Sequence, residues 1–292
     1  MGKKRVVVGF ADSRNLARAV AKRSRSEYTE AELKDFPDKE SYLRYKTDLK
    51  GKRVYILRSL NDPNRKIVEL LLAAYTAKEL GAKKVILIAP YLCYMRQDKR
   101  FKPGEAISSK IIARLFNACF DELITVDPHL HRYKSLNDIF IIKSKKLTAV
   151  QPIADFIKKN IKTPFILGPD MESYQWARKV ASSLKCGVDV LKKHRYGSET
   201  VRIKIKEGLD LKDKGVVIVD DVISTGHTVM EVVKDVKALG AKKIYCVCTH
   251  GVFAEDSLRK IRRLGASVYS TNTIENAVSE IDVTEMITKE IK

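Results

Sequence analysis

The sequence predicts an α/β chain of two tandem, related domains, each a mostly parallel sheet flanked by helices. Three observations carry this. Apolar β-rich runs alternate with amphipathic helical stretches from one end of the chain to the other. Runs such as VVIV (216–219) and VILIA (85–89) lack polar alternation, as strands covered on both faces do. The chain also repeats itself: DLKGKRVYIL (48–57) matches DLKDKGVVIV (210–219), and ELGAKKVILI (79–88) matches ALGAKKIYCV (238–247), in the same order.

In chain order the patterning places strands near 5–10, 53–57, 84–89, 122–126, 137–141, 164–167, 187–191, 216–219, 243–248 and 266–269. Helices are expected between them near 64–80, 105–118, 149–159, 172–184, 228–239 and 254–263. The boundary between the copies falls near 145–150, after KSKK, giving domains of 1–147 and 148–292.

A chain of 292 residues, 45% of them hydrophobic, is long enough to bury two ordinary cores. The longest apolar run, Val85 to Met95, is interrupted by Pro90 and falls short of the roughly 18 residues of a membrane span, so no membrane role is expected. At the N-terminus the apolar stretch ends at Ala11, before Asp12 and Arg14, which is too short for a signal peptide and reads as a first strand. The five cysteines, at 93, 119, 186, 246 and 248, are odd in number and scattered, so a disulfide framework is not expected and a reducing cytoplasm is. Cys246 and Cys248 form a close pair, but without a second cluster they do not make a zinc site. The net charge of +20 allows either attraction of polyanions or a lysine-rich solvated surface. Because the basic residues are spread along the chain and no nucleic-acid module is present, nucleic-acid binding is not expected. A basic field still helps to collect small phosphorylated molecules.

The sharpest chemical signal is Val216 to Thr228, VVIVDDVISTGHT. It reads as a strand, a tight turn and a helix N-terminus, where free backbone N–H groups and the positive end of the helix dipole cradle phosphate. Adjacent carboxylates at the strand end, Asp220 and Asp221, can accept hydrogen bonds from the vicinal hydroxyls of a ribose. The competing reading is a helix capped by Ser224 or Thr225 beside solvated aspartates. A pair of acids at the end of a buried strand argues against it. The first copy lacks this loop and reads RSLNDPNRK (58–66) instead. Its distinctive residues come later, in RQDKR (96–100), which on local chemistry is either a solvated basic loop or a place for phosphate and nucleobase. Asp127, His129 and His131 in ITVDPHLH could bind Mg²⁺, or polarise a phosphate, or be satisfied structurally.

Taken together, FPDKE (36–40), PYLCYMRQDK (90–99), PGEAISSK (103–110), VDPHLH (126–131), PD (169–170), KKHR (192–195), DDVISTGHT (220–228), THGVF (249–253) and TNT (271–273) resemble the ribose-phosphate pyrophosphokinase family over nearly the whole chain. The resemblance implies two phosphoribosyltransferase-like domains, an N-terminal one binding ATP and a C-terminal one binding ribose 5-phosphate. It implies transfer of the β,γ-diphosphoryl group of ATP to the anomeric hydroxyl of ribose 5-phosphate, giving phosphoribosyl pyrophosphate and AMP. Asp220 and Asp221 then take the ribose hydroxyls, and Ser224, Thr225, Gly226, His227 and Thr228 the 5-phosphate. Arg96 and Gln97 hold ATP, while Phe36, Asp38 and Glu40 form an adenine-contacting loop donated by a neighbouring subunit, so self-association is implied. His129 and Asp170 correspond to the Mg²⁺ and phosphate positions, and Lys193 and Arg195 to a catalytic loop that neutralises charge on the transferred group. A non-catalytic regulatory relative, or a phosphoribosyltransferase using the same sugar-phosphate loop, are the alternatives.

Departures from the family pattern cluster at the phosphate sites. In GPDMES (168–173) a glycine replaces a serine before PD, and Met171, Glu172 and Ser173 bring bulk and negative charge where small residues and two glycines are usual. Ser224 stands where an aspartate is common, and His227 where a glycine is frequent. A histidine forced to positive φ there would cost about 1 kcal/mol; otherwise its ring can face the phosphate.

Overall fold

A computed structural model describes residues 4–171, 173–190, 192–196, 200–204 and 211–292, with the backbone alone for 190, 192–196 and 200–204. Two compact units partition the chain: Met1–Leu147 with Thr273–Glu275 and Val283–Lys292, and Thr148–Asn272 with Asn276–Asp282.

In the first unit, strands β1 (Arg5–Gly9) and β2 (Glu27–Glu30), a hairpin of β3 (Glu32–Asp35) and β4 (Ser41–Arg44), then β5 (Arg53–Leu57), β6 (Lys84–Ala89), β7 (Glu122–Val126) and β8 (Lys143–Leu147) alternate with helices α1 (Arg14–Arg23), α2 (Pro63–Glu79) and α3 (Ser108–Cys119). Six of these strands form one sheet in the order β2-β1-β5-β6-β7-β8. Every pairing in it is parallel. Successive residues Val6, Val7 and Val8, and Val54, Tyr55 and Ile56, are all buried, which is why these strands read as unbroken apolar runs.

The second unit repeats the plan. Helix α4 (Val150–Asn160) leads to β9 (Pro164–Gly168), α5 (Tyr174–Leu184), β10 (Val188–Val190), a ribbon of β11 (Lys192–Tyr196) and β12 (Thr200–Lys204), β13 (Gly215–Ile223), α6 (His227–Ala238), β14 (Lys243–Gly251), α7 (Ser257–Arg263) and β15 (Ser267–Ser270). Its sheet order is β10-β9-β13-β14-β15, again all parallel. The last helix, α8 (Thr284–Thr288), belongs to the first unit.

The repeated LGAKK segments have a local cause. Both α2 and α6 end on a glycine at positive φ, Gly81 (80°) and Gly240 (86°). In each, the next N–H reaches back five residues, Ala82 to the Ala77 carbonyl and Ala241 to the Val236 carbonyl, both at 3.0 Å. This closure turns the chain straight into the following strand, β6 or β14.

Four expectations change. The segment 137–141 is not a strand: Leu136–Asp138 is a short 3-10 turn, and the sheet edge is the polar KSKKL of β8. The helix expected from 105 begins at Ser108, after the loop turned by Gly104. The helix expected from 254 begins at Ser257, because Phe253, Glu255 and Asp256 all have positive φ. The chain's last residues cluster with the first unit, where Tyr55 Oη donates to the Lys292 carbonyl at 2.9 Å and Lys145 pairs with Glu290 at 2.6 Å.

Candidate functional site

Both sheets reverse their strand order at one point, between β1 and β5 in the first unit and between β9 and β13 in the second. Open α/β sheets bind ligands in the crevice outside the strand ends at such a point. In the second unit that crevice is bounded by the turns following β9 and β13, neighbours through the pairs Ile166 to Val217 and Leu167 to Ile218. The first turn carries Asp170; Asp220 and Asp221 lie in the last residues of β13, and Ser224 to Gly226 turn the chain from it into α6.

The two aspartates end a strand whose preceding residues, Val216 to Val219, are buried. Asp221 is itself buried, at 5% exposure, and Asp220 is half-buried. The Asp220 carboxyl is pushed well above the usual carboxylate range, first by burial, then by the neighbouring charge of Asp221 and the further charge of Asp170. Like charges therefore crowd this strand end.

Beyond it, the chain is fixed at both shoulders. Val252 and Phe253 both donate to the Ile223 carbonyl at 3.0 Å, and Ser257 Oγ donates to the Ser224 carbonyl at 2.7 Å. Gly226 takes the left-handed conformation, φ 71°, as the residue before α6, with no side-chain cap on the helix. A Cβ on it would lie 3.1 Å from Ile261 Cδ1 and from Ser257 Cβ, so glycine is needed for both torsion and space. His227 is the exposed first residue of α6 and has no positive φ. The strain considered for it does not arise, since Gly226 absorbs the turn. Thr228 follows in the same first helical turn, so Ser224 to Thr228 lead into a helix start whose first N–H groups have no partner within the helix.

The GPDMES turn is closed on Asp170 by Ser173. Ser173 is buried, and its N–H and Oγ both donate to Asp170 Oδ1, at 2.8 and 2.7 Å. Met171 is largely exposed, and Glu172 lies outside the described residues. Gly168 has its own reason: a Cβ there would come within 2.9 Å of Tyr174 Cα.

In the first unit, Arg96 is exposed and Gln97 half-buried on the loop after β6. Sequence reasoning gave no role to Asp98, which follows them. It is buried and accepts from Arg132 Nη1 at 2.7 Å and from the Arg132 N–H at 3.2 Å. Tyr133 Oη donates to the Asp98 carbonyl at 3.1 Å, so RQDK is pinned to the segment carrying His129 and His131. The rings of those two histidines lie 4.6 Å apart. Their place at the end of β7 was legible; the pinning needed an aspartate hidden in a basic run.

Phe36, Asp38 and Glu40 form the tip of the β3–β4 hairpin. Phe36 N–H donates to the Glu40 carbonyl at 2.8 Å, and Asp38 Oδ1 accepts from the Glu40 N–H at 3.2 Å. Phe36 stands out at 48% exposure, against the edge of Tyr42. Lys193 and Arg195 lie on β11, opposite Ile203 and Val201 of β12; their side chains are outside the described residues.

Among the described residues no cluster of three or more His, Cys, Asp or Glu side chains is arranged to hold a metal ion. Cys246 and Cys248 are buried free thiols, held above the usual thiol range by burial. The chemistry of the second unit's crevice suits a divalent cation, since the side chains of Asp170, Asp220 and Asp221 offer hard carboxylate oxygens. Among the described residues no helix is long and apolar enough to cross a membrane.

A family model described as the N-terminal domain of ribose phosphate pyrophosphokinase matches residues 5–119, and one described as a phosphoribosyl transferase domain matches residues 142–285. The ribose-phosphate pyrophosphokinase of Methanothermobacter thermautotrophicus is 36% identical over 290 residues, 98% of this chain and 100% of that one. That of Saccharolobus solfataricus is 34% identical over 289 residues, 97% and 98% of the two chains. The crystal structure of phosphoribosylpyrophosphate synthetase from Mycobacterium smegmatis shares the fold, with a TM-score of 0.87 over 99% of this chain and 98% of that one at 24% identity. With two phosphoribosyltransferase-type units and relatives matched end to end, the chain belongs to the ribose-phosphate pyrophosphokinase family.

Proposed function

We propose that this protein transfers the diphosphoryl group of ATP to the anomeric hydroxyl of ribose 5-phosphate, releasing AMP and phosphoribosyl pyrophosphate. The observation that carries this reading is the crevice at β9 and β13, where a carboxylate pair stands next to an uncapped helix start. Asp220 and Asp221 take the ribose hydroxyls, and the Ser224 to Thr228 turn takes the 5-phosphate through backbone N–H groups and small hydroxyls. With both ends of the sugar held, the anomeric oxygen is presented to the β-phosphorus of ATP, and a fixed approach is the main contribution a protein makes to phosphoryl transfer. The bond from the anomeric oxygen to Pβ forms as the bond between Pβ and the Pα–O–Pβ bridging oxygen breaks, that oxygen leaving on AMP, and the hydroxyl proton passes to solvent.

Arg96 and Gln97 hold ATP from the first unit. Lys193 and Arg195 supply the cations that neutralise charge building on the transferred group. Asp170 and His129 are the residues that would hold Mg²⁺ and phosphate; when bound, Mg²⁺ supplies charge neutralisation on the phosphates. The protruding tip of Phe36, Asp38 and Glu40 suits insertion against the adenine of a neighbouring subunit, so the working form is a homo-oligomer. Free thiols throughout fit a reducing cytoplasm.

Incubating the purified protein with ATP, Mg²⁺ and ribose 5-phosphate, with the nucleotide product resolved by chromatography, tests the reading. AMP formed in equal amount with phosphoribosyl pyrophosphate is expected. ADP as the product, or no turnover across a range of phosphate concentrations, would contradict it.

A further inference from the structure

Glu69 on α2 is buried to 1% exposure and has no part in the chemistry above. It lies between two guanidinium groups. Its Oε2 is 2.6 Å from Arg58 Nη1, and its Oε1 accepts from Arg65 Nε at 2.7 Å. Ser41 Oγ reaches the same Oε1 at 3.4 Å. The far side of Arg65 donates to both oxygens of Asp35, through Nη1 at 3.1 Å and through Nη2.

Asp35 and Ser41 face each other as the last paired rung of the β3–β4 hairpin. The next residues outward are Phe36 and Glu40. One buried carboxylate therefore grips both legs of the hairpin at the rung before the tip, one leg directly and one through Arg65. Two strands alone make a marginal structure in water. An exposed Arg–Asp pair alone adds little to it. Here the arginine is already immobilised on a buried anion, so its second, two-pronged bond to Asp35 is made with less loss of side-chain freedom.

We infer that Glu69 is a positioning residue for the nucleotide site: through Arg65 and Ser41 it sets the angle at which Phe36, Asp38 and Glu40 are presented. This rests on the reading of that tip as the adenine-contacting loop. Glu69 touches no substrate, and its effect is confined to the nucleotide.

Steady-state kinetics on the full-length enzyme test it, with KM measured separately for ATP and for ribose 5-phosphate. Phe36→Ala, which removes the tip ring, should raise the KM for ATP about tenfold. Arg65→Gln and Asp35→Asn, both at solvent-exposed positions, should raise it about 3-fold to 10-fold, with the KM for ribose 5-phosphate and kcat within about twofold of wild type. Glu69→Gln should do at least as much, and adding Arg65→Gln to it should change little more, because both cut one linkage. If Glu69→Gln does not fold, the two exposed variants still carry the test. A rise with Phe36→Ala but none with Arg65→Gln and Asp35→Asn would overturn the anchoring role alone. An unchanged KM for ATP in Phe36→Ala would remove the reading of the tip, and the inference with it. Parallel rises in both KM values with a fall in kcat would mark a general structural role and overturn it too.

Discussion

At the strand ends of β1 and β5 in the first unit, Arg58 lies 4.4 Å from the centre of the Phe10 ring, ion-paired with Glu69 on one side and hydrogen-bonded to Asp12 on the other. Lys66 closes the group, 3.0 Å from Asp12 and donating to the Ser59 carbonyl and Asn61. At the matching strand ends of β9 and β13 in the second unit, Asp221 and Asp170 both act on Asp220 with charge of its own sign. The crevices arise from the same topology, yet in the first Arg58 and Lys66 sit against Glu69 and Asp12, whereas in the second, among the described residues, like charges crowd Asp220. The first switch point holds a network of paired charges, and the second is the one to which the proposed function assigns the sugar phosphate. Breaking the buried Arg58–Glu69 pair would cost about 3–5 kcal/mol of stability, as for other buried pairs cut on one side.

Asp220→Asn should break the comparison most strongly. Turnover of ribose 5-phosphate is expected to fall by about 10² or more, because a hydroxyl acceptor at the sugar is lost. Stability should move the other way. A carboxyl whose folded pKa is raised allows a stability that is full below its unfolded value, near pH 4, and is lost as pH rises through the folded value. Asparagine removes that loss. In the absence of ligand the variant should gain on wild type in urea midpoint as pH rises from about 4 to 7; a constant difference over that range would count against the crowding of Asp220.

A paired change at the two turns has a smaller effect. Gly226→Ala places a Cβ against Ile261 and Ser257 at positive φ, and should cost about 1–2 kcal/mol while raising the KM for ribose 5-phosphate. In the first unit the left-handed residue before α2 is Asp62, φ 50°, with no side-chain cap bond. Asp62→Gly should raise stability by up to about 1 kcal/mol and leave kinetics unchanged. Loss of activity in the second variant would mean that the first turn also serves a substrate.

Much of this was legible in the residues. The buried strands announced themselves through VVIV and VILIA, and the repeated LGAKK carried both helix terminations, since a glycine at positive φ followed by a strand is a local signal. Elements without an apolar rhythm stayed hidden: β8 is KSKKL, an edge strand with exposed lysines, and Arg14 to Arg23 is polar enough that α1 shows only once its Leu16, Ala17, Val20 and Ala21 are seen to be buried. The β3–β4 hairpin, ELKD and SYLR, is half-exposed and packs only Leu33 and Leu43 on the core, with side-chain bonds at its outer rung. At the site, the Asp220 to Thr228 turn was readable because strand end, glycine and helix start are contiguous. Asp98 and Glu69 were not, because their partners Arg132 and Arg58 lie far along the chain or around a helix, and a charge in a basic run or an apolar helix gives no sign of its burial.

The central claim is that the two turns divide the labour, and amide hydrogen exchange with and without ribose 5-phosphate tests it most directly. Saturating sugar phosphate should slow exchange across 220–229, with the strongest protection at the His227, Thr228 and Val229 amides, and leave 58–66 unchanged. Protection centred on 58–66, or none in either turn at saturation, would contradict it.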